Sequence, residues 1–581
     1  MSTPRRRSML HHLCWCSLTL ASVAHAQPTG LVPLSDLGVG THGGFPGGLY
    51  PGSTNVPPAA HLAGALAEAA GIVPRDAAGA SDPNGWIGMI ALGMSNTTHE
   101  FGAFERMADA DSARNARVVI MDTAFGGQTA TVLANPAAPY WTTVAQRVAA
   151  MGLTAAQVQV AWLKEAEANP PNNFPVHAQA LRDTLRRVVQ NLRDKYPNVR
   201  ICYVSSRIFG GYSAQGGLNP EPQAYESGFS AKWLIEDQIA GDPQLNYGQL
   251  GGPVRAPLLL WGPYLWADGT IPRSDGLIWE LADLETDRVH PSPAGEQKVA
   301  QMLADFFATD TTALGWWPAQ AGTRLRVVDA IHDAHVSLAA PASNFGSSTV
   351  LYAATGASAQ NIHLRFDVSG IGDPVLLAKL SLRVATTGSG GGPVRLVDDT
   401  TWDEATITWA TAPPLGATLA TMPQATRDGT WGAGVTSAVN ADPDGQLAFG
   451  LLSPVATPTP YLSKESGQTP RLVLVVETPT VSAGPPGAPA TGPRVSASPN
   501  PASDRGRIVF TLDRAGHAEL AVFAVDGRRV RSLAGGFRDA GSHVVAWDGR
   551  DESGRIVPAG IYLVRLIAAG GLASARLARL R

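Results

Sequence analysis

The sequence predicts a multidomain protein in which a three-layer α/β domain is followed by two all-β sandwiches. Three observations carry that expectation. Between residues 84 and 317 short apolar runs alternate with amphipathic helical patterns, the signature of a parallel sheet covered on both faces. From about residue 325 the texture changes to short alternating strands broken by Gly, Pro, Asn and Asp, without a convincing helix, as in a β-sandwich. A Pro/Gly/Ala/Thr-rich stretch, 478–493, then separates a last segment, 494–581, built from similar short strands. The 581 residues exceed one compact core and fit three or four units of about 100 to 200 residues each.

Taken in order, residues 1–26 carry Arg5, Arg6 and Arg7, an apolar stretch from Leu13 to Ala24, and Ala24-His25-Ala26 before Gln27. A basic start, a short apolar run and a small-x-small site predict a cleaved signal peptide, and so an exported protein, extracellular, on the cell surface or in the periplasm. A membrane anchor needs about 20 apolar residues, more than this run supplies, and no later stretch is long and apolar enough to cross a bilayer. Removing the segment takes away three arginines and no acid, moving the formal charge from −4 to −7. A mildly acidic chain gives no reason to expect nucleic acid as a partner. Cys14 and Cys16 leave with the signal, so Cys202 stands alone and no internal disulfide can form. Within the apolar run Ile201 to Val204 it reads as a core thiol. Residues 27–83, rich in Gly, Pro and small residues, read as an irregular ordered segment covering the next domain.

In the α/β segment the expected strands are Ile87 to Leu92, Val118 to Met121, Val158 to Leu163, Arg200 to Val204 and Leu258 to Trp261. Leu181, Leu185, Val188, Val189 and Leu192 share one face of a helix between them. Sites in such sheets form at the carboxyl ends of strands. Ser95 of Gly93-Met94-Ser95-Asn96 lies there, just past the first strand. Far along the chain, Asp287-Arg288-Val289-His290 precedes a helical pattern, Pro293 to Phe307. A serine hydroxyl is a poor nucleophile until an imidazole takes its proton, and the imidazole needs a carboxylate to fix its tautomer. Asp287 and His290 can meet if their loop makes one turn. Either motif alone is common; together, at opposite ends of one α/β segment, they supply nucleophile, base and orienting acid.

With these motifs, residues 84–317 resemble the SGNH (GDSL-like) hydrolase superfamily. The string Asp287 to Gly295 is similar to its last block, Asp-x-x-His-Pro-Ser-x-x-Gly, while Met94 stands where the first block usually has Asp. The resemblance implies a flavodoxin-like fold and an esterase or deacetylase with Ser95, Asp287 and His290 as catalytic residues. It also implies an oxyanion hole from the backbone N–H of Ser95 and of Gly126 or Gly127, which sit in the string Val119 to Gln128. After the strand ending near Leu163 there is no Gly-x-Asn to supply the family's asparagine donor. Lys164 occupies roughly that place, either as a cationic donor or as an exposed lysine at a helix start.

Asn96, Asp122, Gln128 and Arg207 also fall near strand ends; they read as structural, with Asn96 retained as a candidate for lining the substrate. Trp261, Tyr264, Trp266 and Trp279 precede the Asp-x-x-His loop, and such aromatic faces suit sugar rings as well as a core. No Cys/His or carboxylate cluster has metal-ligand spacing along the chain, so neither metal nor cofactor is expected.

Residues 325–477 contain Asp333-Ala-His-Val336, Asn344-Phe-Gly346, Leu364 to Asp367, Trp402-Asp-Glu-Ala-Thr-Ile-Thr-Trp409 and Ser463 to Arg471. This spacing is similar to the DNRLRE family of extracellular β-sandwich modules, some of them classed as carbohydrate-binding, which implies either a glycan-binding role or a spacer. Ser498-Pro-Asn-Pro501, Val525 to Arg528, Trp547 to Arg550 and Val557 to Tyr562 make residues 494–581 resemble the Ig-like domain of flagellar hook-capping proteins and secreted proteases. They also resemble type IX sorting domains, which would make secretion machinery a partner. The combined expectation is a secreted hydrolase acting on a polysaccharide or other extracellular ester. An inactive carbohydrate-binding or adhesive surface protein is the alternative.

Overall fold

A computed structural model describes residues 28–171, 173–213, 218–248, 251–386, 390–422, 424, 429–478, 493–498, 506–512, 514–524, 528–568 and 571–579. The 1–26 segment, most of the 478–493 linker, the turn 525–527 and most of the Ser498 to Pro501 string lie outside the described residues.

Five parallel strands form the N-terminal sheet: β1 (Ile87–Gly93), β2 (Val118–Met121), β3 (Val158–Lys164), β4 (Ile201–Val204) and β5 (Leu258–Trp261). Their order, β2-β1-β3-β4-β5, reverses direction of growth at β1. Every residue of all five strands is buried, which explains why they read as unbroken apolar runs rather than alternating ones. Around the sheet lie α1 (Ala59–Ala70), α2 (Ser95–Asp109), α3 (Pro139–Ala150), α4 (Val176–Lys195), α5 (Gln223–Ile239) and α6 (Pro293–Thr309). Helix α2 packs against α6 and α4 against α5. Cys202 is wholly buried in β4, and burial pushes its thiol up.

The segment read as irregular, 27–83, departs from expectation by containing α1. Alanine has the highest helix propensity, and His61, Ala65 and Ala69 fall at four-residue spacing on its buried face. The small side chains of Ala65 and Ala69 let the helix approach the sheet closely, and His61 Nε2 lies 2.8 Å from the Leu259 carbonyl on β5.

Three antiparallel sheets follow. A four-stranded one runs β13 (Thr430–Gly434), β10 (Val375–Arg383), β16 (Arg471–Glu477), β6 (Thr323–Asp329). A five-stranded one runs β12 (Thr418–Met422), β11 (Gly392–Leu396), β14 (Gln446–Leu451), β9 (Gln360–Asp367), β7 (His332–Ser337), and β8 (Val350–Ala353) pairs with β15 (Thr459–Leu462). A six-residue helix, α7 (Thr436–Ala441), interrupts the alternating pattern.

The two central strands of the four-stranded sheet, β10 and β16, are buried on both faces. On β16, Leu472, Leu474 and Val476 enter the sandwich core, whereas Val473 and Val475, with Leu325 and Leu377, join the core of the α/β region. Residues through Pro479 accordingly form one compact unit. Polar side chains complete the contact. Lys379 on β10, 2 % exposed, reaches Glu105 and Asp109 of α2, and Thr430 Oγ1 donates to the Gly102 carbonyl at 3.0 Å.

The C-terminal unit is a separate pair of antiparallel sheets. One runs β17 (Arg494–Ser498), β18 (Gly506–Leu512), β21 (Gly541–Trp547); the other runs β20 (Arg529–Arg538), β19 (Gly516–Ala524), β22 (Gly560–Ala568), β23 (Gly571–Arg579). Ile508, Phe510, Leu520, Trp547, Val564 and Leu566 fill the space between them.

Removing one partner of a buried ion pair leaves an uncompensated charge, and costs about 3 to 5 kcal/mol. Lys379→Met is therefore expected to lower the stability of the first unit by that amount. Urea unfolding followed by tryptophan fluorescence checks it; an unchanged midpoint would refute the structural role given to this contact.

Candidate active site

The strand-to-helix junction at the end of β1 sets the site. Gly93 is required there by close approach: a Cβ would collide with Thr97 Oγ1 and the Lys164 carbonyl. Met94 supplies no side-chain cap, so the first N–H groups of α2 remain available at the positive end of the helix. Ser95, the first helical residue, is partly exposed.

The Asp287 to His290 loop makes the turn expected of it, with Arg288 in the left-handed region at φ 60°. That reversal lets Asp287 Oδ1 accept from the backbone N–H of Val289 and of His290, each at 3.0 Å. Asp287 Oδ2 lies 2.6 Å from His290 Nδ1, and His290 Nε2 lies 2.8 Å from Ser95 Oγ. Partial burial alone would raise the Asp287 carboxyl, but the hydrogen bonds from His290 and Val289 outweigh it and hold the group down at about 2. An ionised Asp287 accepts a hydrogen bond from Nδ1–H, which leaves Nε2 to accept from the serine hydroxyl.

Gly126 stands beside Ser95, where a Cβ would be 3.6 Å from that of the serine; Gly127, at φ 76°, faces open space. The loop carrying them is tied down by side chains. Thr123 Oγ1 donates to the Ala91 carbonyl at 2.6 Å, Arg147 donates to the Ala124 carbonyl at 2.6 Å, and Gln128 donates to the Gly126 carbonyl at 3.4 Å. Arg147 also stacks 3.8 Å from the Trp431 ring of β13, and burial lowers its guanidinium to about 10. Asp122 accepts from the Ala124 N–H, and burial pushes its carboxyl well above the usual range.

Three expectations are corrected. Lys164 is neither exposed nor free to act as an oxyanion donor, because its ammonium engages both carboxylate oxygens of Glu100 on α2 in a buried pair. Burial lowers Lys164 to about 8 and raises Glu100, while their attraction opposes both shifts. Asn96 does not line the substrate site: it is buried and donates to the Val289 carbonyl at 3.0 Å, tying α2 to the Asp287 to His290 loop. Trp261 and Tyr264 are buried against the N-terminal segment; Trp261 Nε1 donates to the Leu49 carbonyl at 2.6 Å and Tyr264 accepts from the Leu34 N–H at 3.1 Å. Trp266 is wholly buried and donates to Glu221 at 2.7 Å. Trp279 is wholly buried as well.

Two groups escaped the sequence. Glu165, next to Lys164, is buried, and its Oε2 has no partner among the described residues. Burial pushes this carboxyl well above its usual range. In the sandwich, Asp333, Glu404 and Glu465 bring carboxylate oxygens within 4.8 Å of one another, as Glu285 and Asp287 bring theirs within that distance of a ring nitrogen of His290. Lys464 supplies a counter-charge at 2.7 Å from Glu404 and 2.8 Å from Glu465, and burial first, then its acidic neighbours, raise Asp333 to about 7. Separations of more than 60 residues hid this cluster.

Comparison with known families identifies the β-rich regions. Residues 326–478 match the profile of Carbohydrate-binding module family 96. This segment is a carbohydrate-binding module. Residues 497–571, beyond the carbohydrate-binding module, match the FlgD Ig-like domain. No curated protein matches the chain.

Solved structures overlap it faintly. The Pseudomonas fluorescens alkylpurine DNA glycosylase AlkC shares 17% identity over 16% of this chain and 31% of its own, at a TM-score of 0.13. PorZ, a surface component of the Porphyromonas gingivalis type-IX secretion system, shares 19% over 19% and 14%, at 0.12. The periplasmic domain of the Salmonella ser. Paratyphi A lipopolysaccharide acetyltransferase shares 11% over 39% and 85%, at 0.23. The chain thus spans less than a third of the length of the first two.

A carboxyl lowered on folding stabilises the fold above its unfolded value of about 3.9 and loses that contribution as pH falls through its folded value. An asparagine at 287 cannot titrate. The stability gap between the natural chain and Asp287→Asn is therefore expected to hold steady above about pH 4 and to close as pH falls towards 2. Urea midpoints of both proteins across that range provide the check, and a gap independent of pH would refute the assignment.

Proposed function

We propose that residues 84–317 are an SGNH-type, flavodoxin-like serine hydrolase. In this reading it is an esterase or deacetylase on a glycan or other extracellular polymer, which the carbohydrate-binding module helps to hold. The observation that carries this reading is the continuous hydrogen-bonded series Ser95, His290, Asp287 at the end of β1. The strand order β2-β1-β3-β4-β5 supports it, because ligands of such sheets sit outside the strand ends where the order reverses.

Ser95 Oγ attacks the acyl carbon while His290 Nε2 takes its proton, and Asp287 stabilises the resulting imidazolium. The negative oxygen is held by the N–H of Ser95 and of Gly126 or Gly127. His290 returns the proton to the leaving alcohol, and water, activated by the same imidazole, releases the acid from Ser95. Export places the reaction outside the cytoplasm. The FlgD Ig-like domain takes no part in the chemistry and serves as a spacer or as a handle for secretion.

A second reading, an inactive carbohydrate-binding or adhesive protein, is favoured by the match to the carbohydrate-binding module and by the missing Gly-x-Asn donor. A fluorophosphonate probe separates the two. Labelling of the full chain, abolished in Ser95→Ala, is expected, with short-ester turnover falling on the order of 10³-fold or more in that variant. Absence of labelling with retention on insoluble glycans would support the second reading. Ser95→Ala is expected to bind glycan like the natural chain.

A further inference from the structure

Arg207 follows the end of β4 in the string Ser205-Ser206-Arg207, and the chain holds that string firmly. Ser205 N–H donates to the Leu163 carbonyl of β3 at 2.9 Å, Ser205 Oγ accepts from Trp162 Nε1 at 2.9 Å, and Ser206 Oγ accepts from the Leu265 N–H at 3.0 Å. Gly93 of β1 pairs with Lys164 of β3, and Leu163 pairs with Val204 of β4, so the ends of the three strands stand side by side. Ser95 leaves that edge of the sheet from β1 and Arg207 leaves it from β4, two strand spacings or about 10 Å apart.

Arg207 is 7 % exposed. A buried guanidinium is tolerated where acceptors and carboxylates meet it. None does so here: its Nε–H finds no acceptor, and no carboxylate pairs with it, among the described residues. Burial lowers the group, and the charges of Glu100, Glu165 and Glu221 pull it back, yet each of these carboxyls is engaged elsewhere. Glu100 is taken by Lys164. Glu221 accepts from the Gly210 N–H at 2.8 Å, the Tyr225 N–H at 3.0 Å and Trp266 Nε1 at 2.7 Å. Glu165 turns Oε1 to the Ala166 N–H at 2.7 Å, and its Oε2 is the second buried atom of this corner without a partner. The Ala166 carbonyl accepts from the Ala130 N–H at 3.1 Å, which joins the corner to the segment carrying Gly126 and Gly127.

We propose that Arg207 binds a carboxylate of the sugar that carries the ester, which makes the substrate of Ser95 an acidic, uronate-containing glycan. The proposal rests on the hydrolase reading and names its substrate class.

The physical reason is a cation kept ready without a partner. Nε and the Nη beside it form a planar fork that matches the two oxygens of a carboxylate. Glu165 Oε2, at the end of the next strand, receives a hydroxyl, which the same sugar supplies. Anchoring the sugar at the ends of β3 and β4 holds its ester against the serine at the end of β1. A neutral sugar leaves the buried guanidinium unmet, and a site built around a charged partner rejects the analogue that lacks it.

The test uses the full chain and O-acetylated oligomers of galacturonate, mannuronate and glucuronate, each as the free acid and as its carboxyl methyl ester, with acetate release as the signal. On at least one series, kcat/KM for the free acid is expected to exceed that for the methyl ester on the order of 10²-fold. Arg207→Met is expected to erase this ratio by lowering the free-acid value. Arg207→Lys should keep part of it, since an ammonium retains the charge and loses the fork. Arg182→Met, at a partly exposed arginine of α4, should leave the ratio as it was. Arg207→Met is also expected to unfold at the same urea midpoint or a higher one, because an uncompensated buried charge has been removed; a structural arginine would give a lower midpoint. Equal turnover of acid and methyl ester in every series, a ratio that survives Arg207→Met, or faster release from sulfated neutral oligomers overturns the proposal. If the natural chain neither releases acetate nor takes the fluorophosphonate, the hydrolase reading fails. Arg207 is then decided by NMR of its Nε–H in 15N-arginine-labelled chain: the signal moves on adding a de-acetylated oligouronate and not its methyl ester, or, by staying put with all three, refutes the site.

Discussion

Helix Ser95–Asp109 is held at both ends, and most of the architecture follows from that. At its start, the tight junction at Gly93 and the bond from Asn96 to the Val289 carbonyl place the serine against the loop of His290. At its end, Glu105 and Asp109 meet Lys379 of the carbohydrate-binding module, inside an interface that excludes water. Charges in such a place are tolerated only as pairs. Neither partner surface is stable in the geometry it adopts without the other, so the helix, the loop of Gly126 and the four-stranded sheet are fixed together.

The parallel sheet was legible because strands buried on both faces leave unbroken apolar runs. The hydrogen-bonded meeting of Ser95, His290 and Asp287 was legible because Ser95 follows a strand end and the turn from Asp287 to His290 needs only three residues. Much else was not. Residues 59–70 read as irregular because their alanines resemble linker composition as much as helix. Lys164 was weighed as a donor because nothing in the chain advertises that Glu100, 64 residues earlier, would claim it. The aromatic residues before the histidine loop suit a sugar face or a core equally, and only the packing of Leu34 and Leu49 against them decides for the core. A subtler signal was present in Leu472 to Val476: five consecutive apolar residues in a sandwich strand are one face too many for a module exposed to water.

Burial also rearranges the electrostatics at the strand ends. Lys164 and Glu100 neutralise one another, while Glu165 and Asp122 are driven towards their uncharged forms. The region behind the serine is therefore dense in buried ionisable side chains whose charges are set by one another as much as by solvent.

The doubly covered sheet has a consequence for how such a chain changes over time. A module attached by a tether can be exchanged by recombination, its loss costing only the binding it provided. Here a cut at Pro318 would strip the α/β region of Val473, Val475 and the cations on β10, and would leave the sandwich with a greasy, charged flank. Regions joined in this way travel through gene rearrangement as one cassette, and they change by point substitution within the pair instead of by swapping parts.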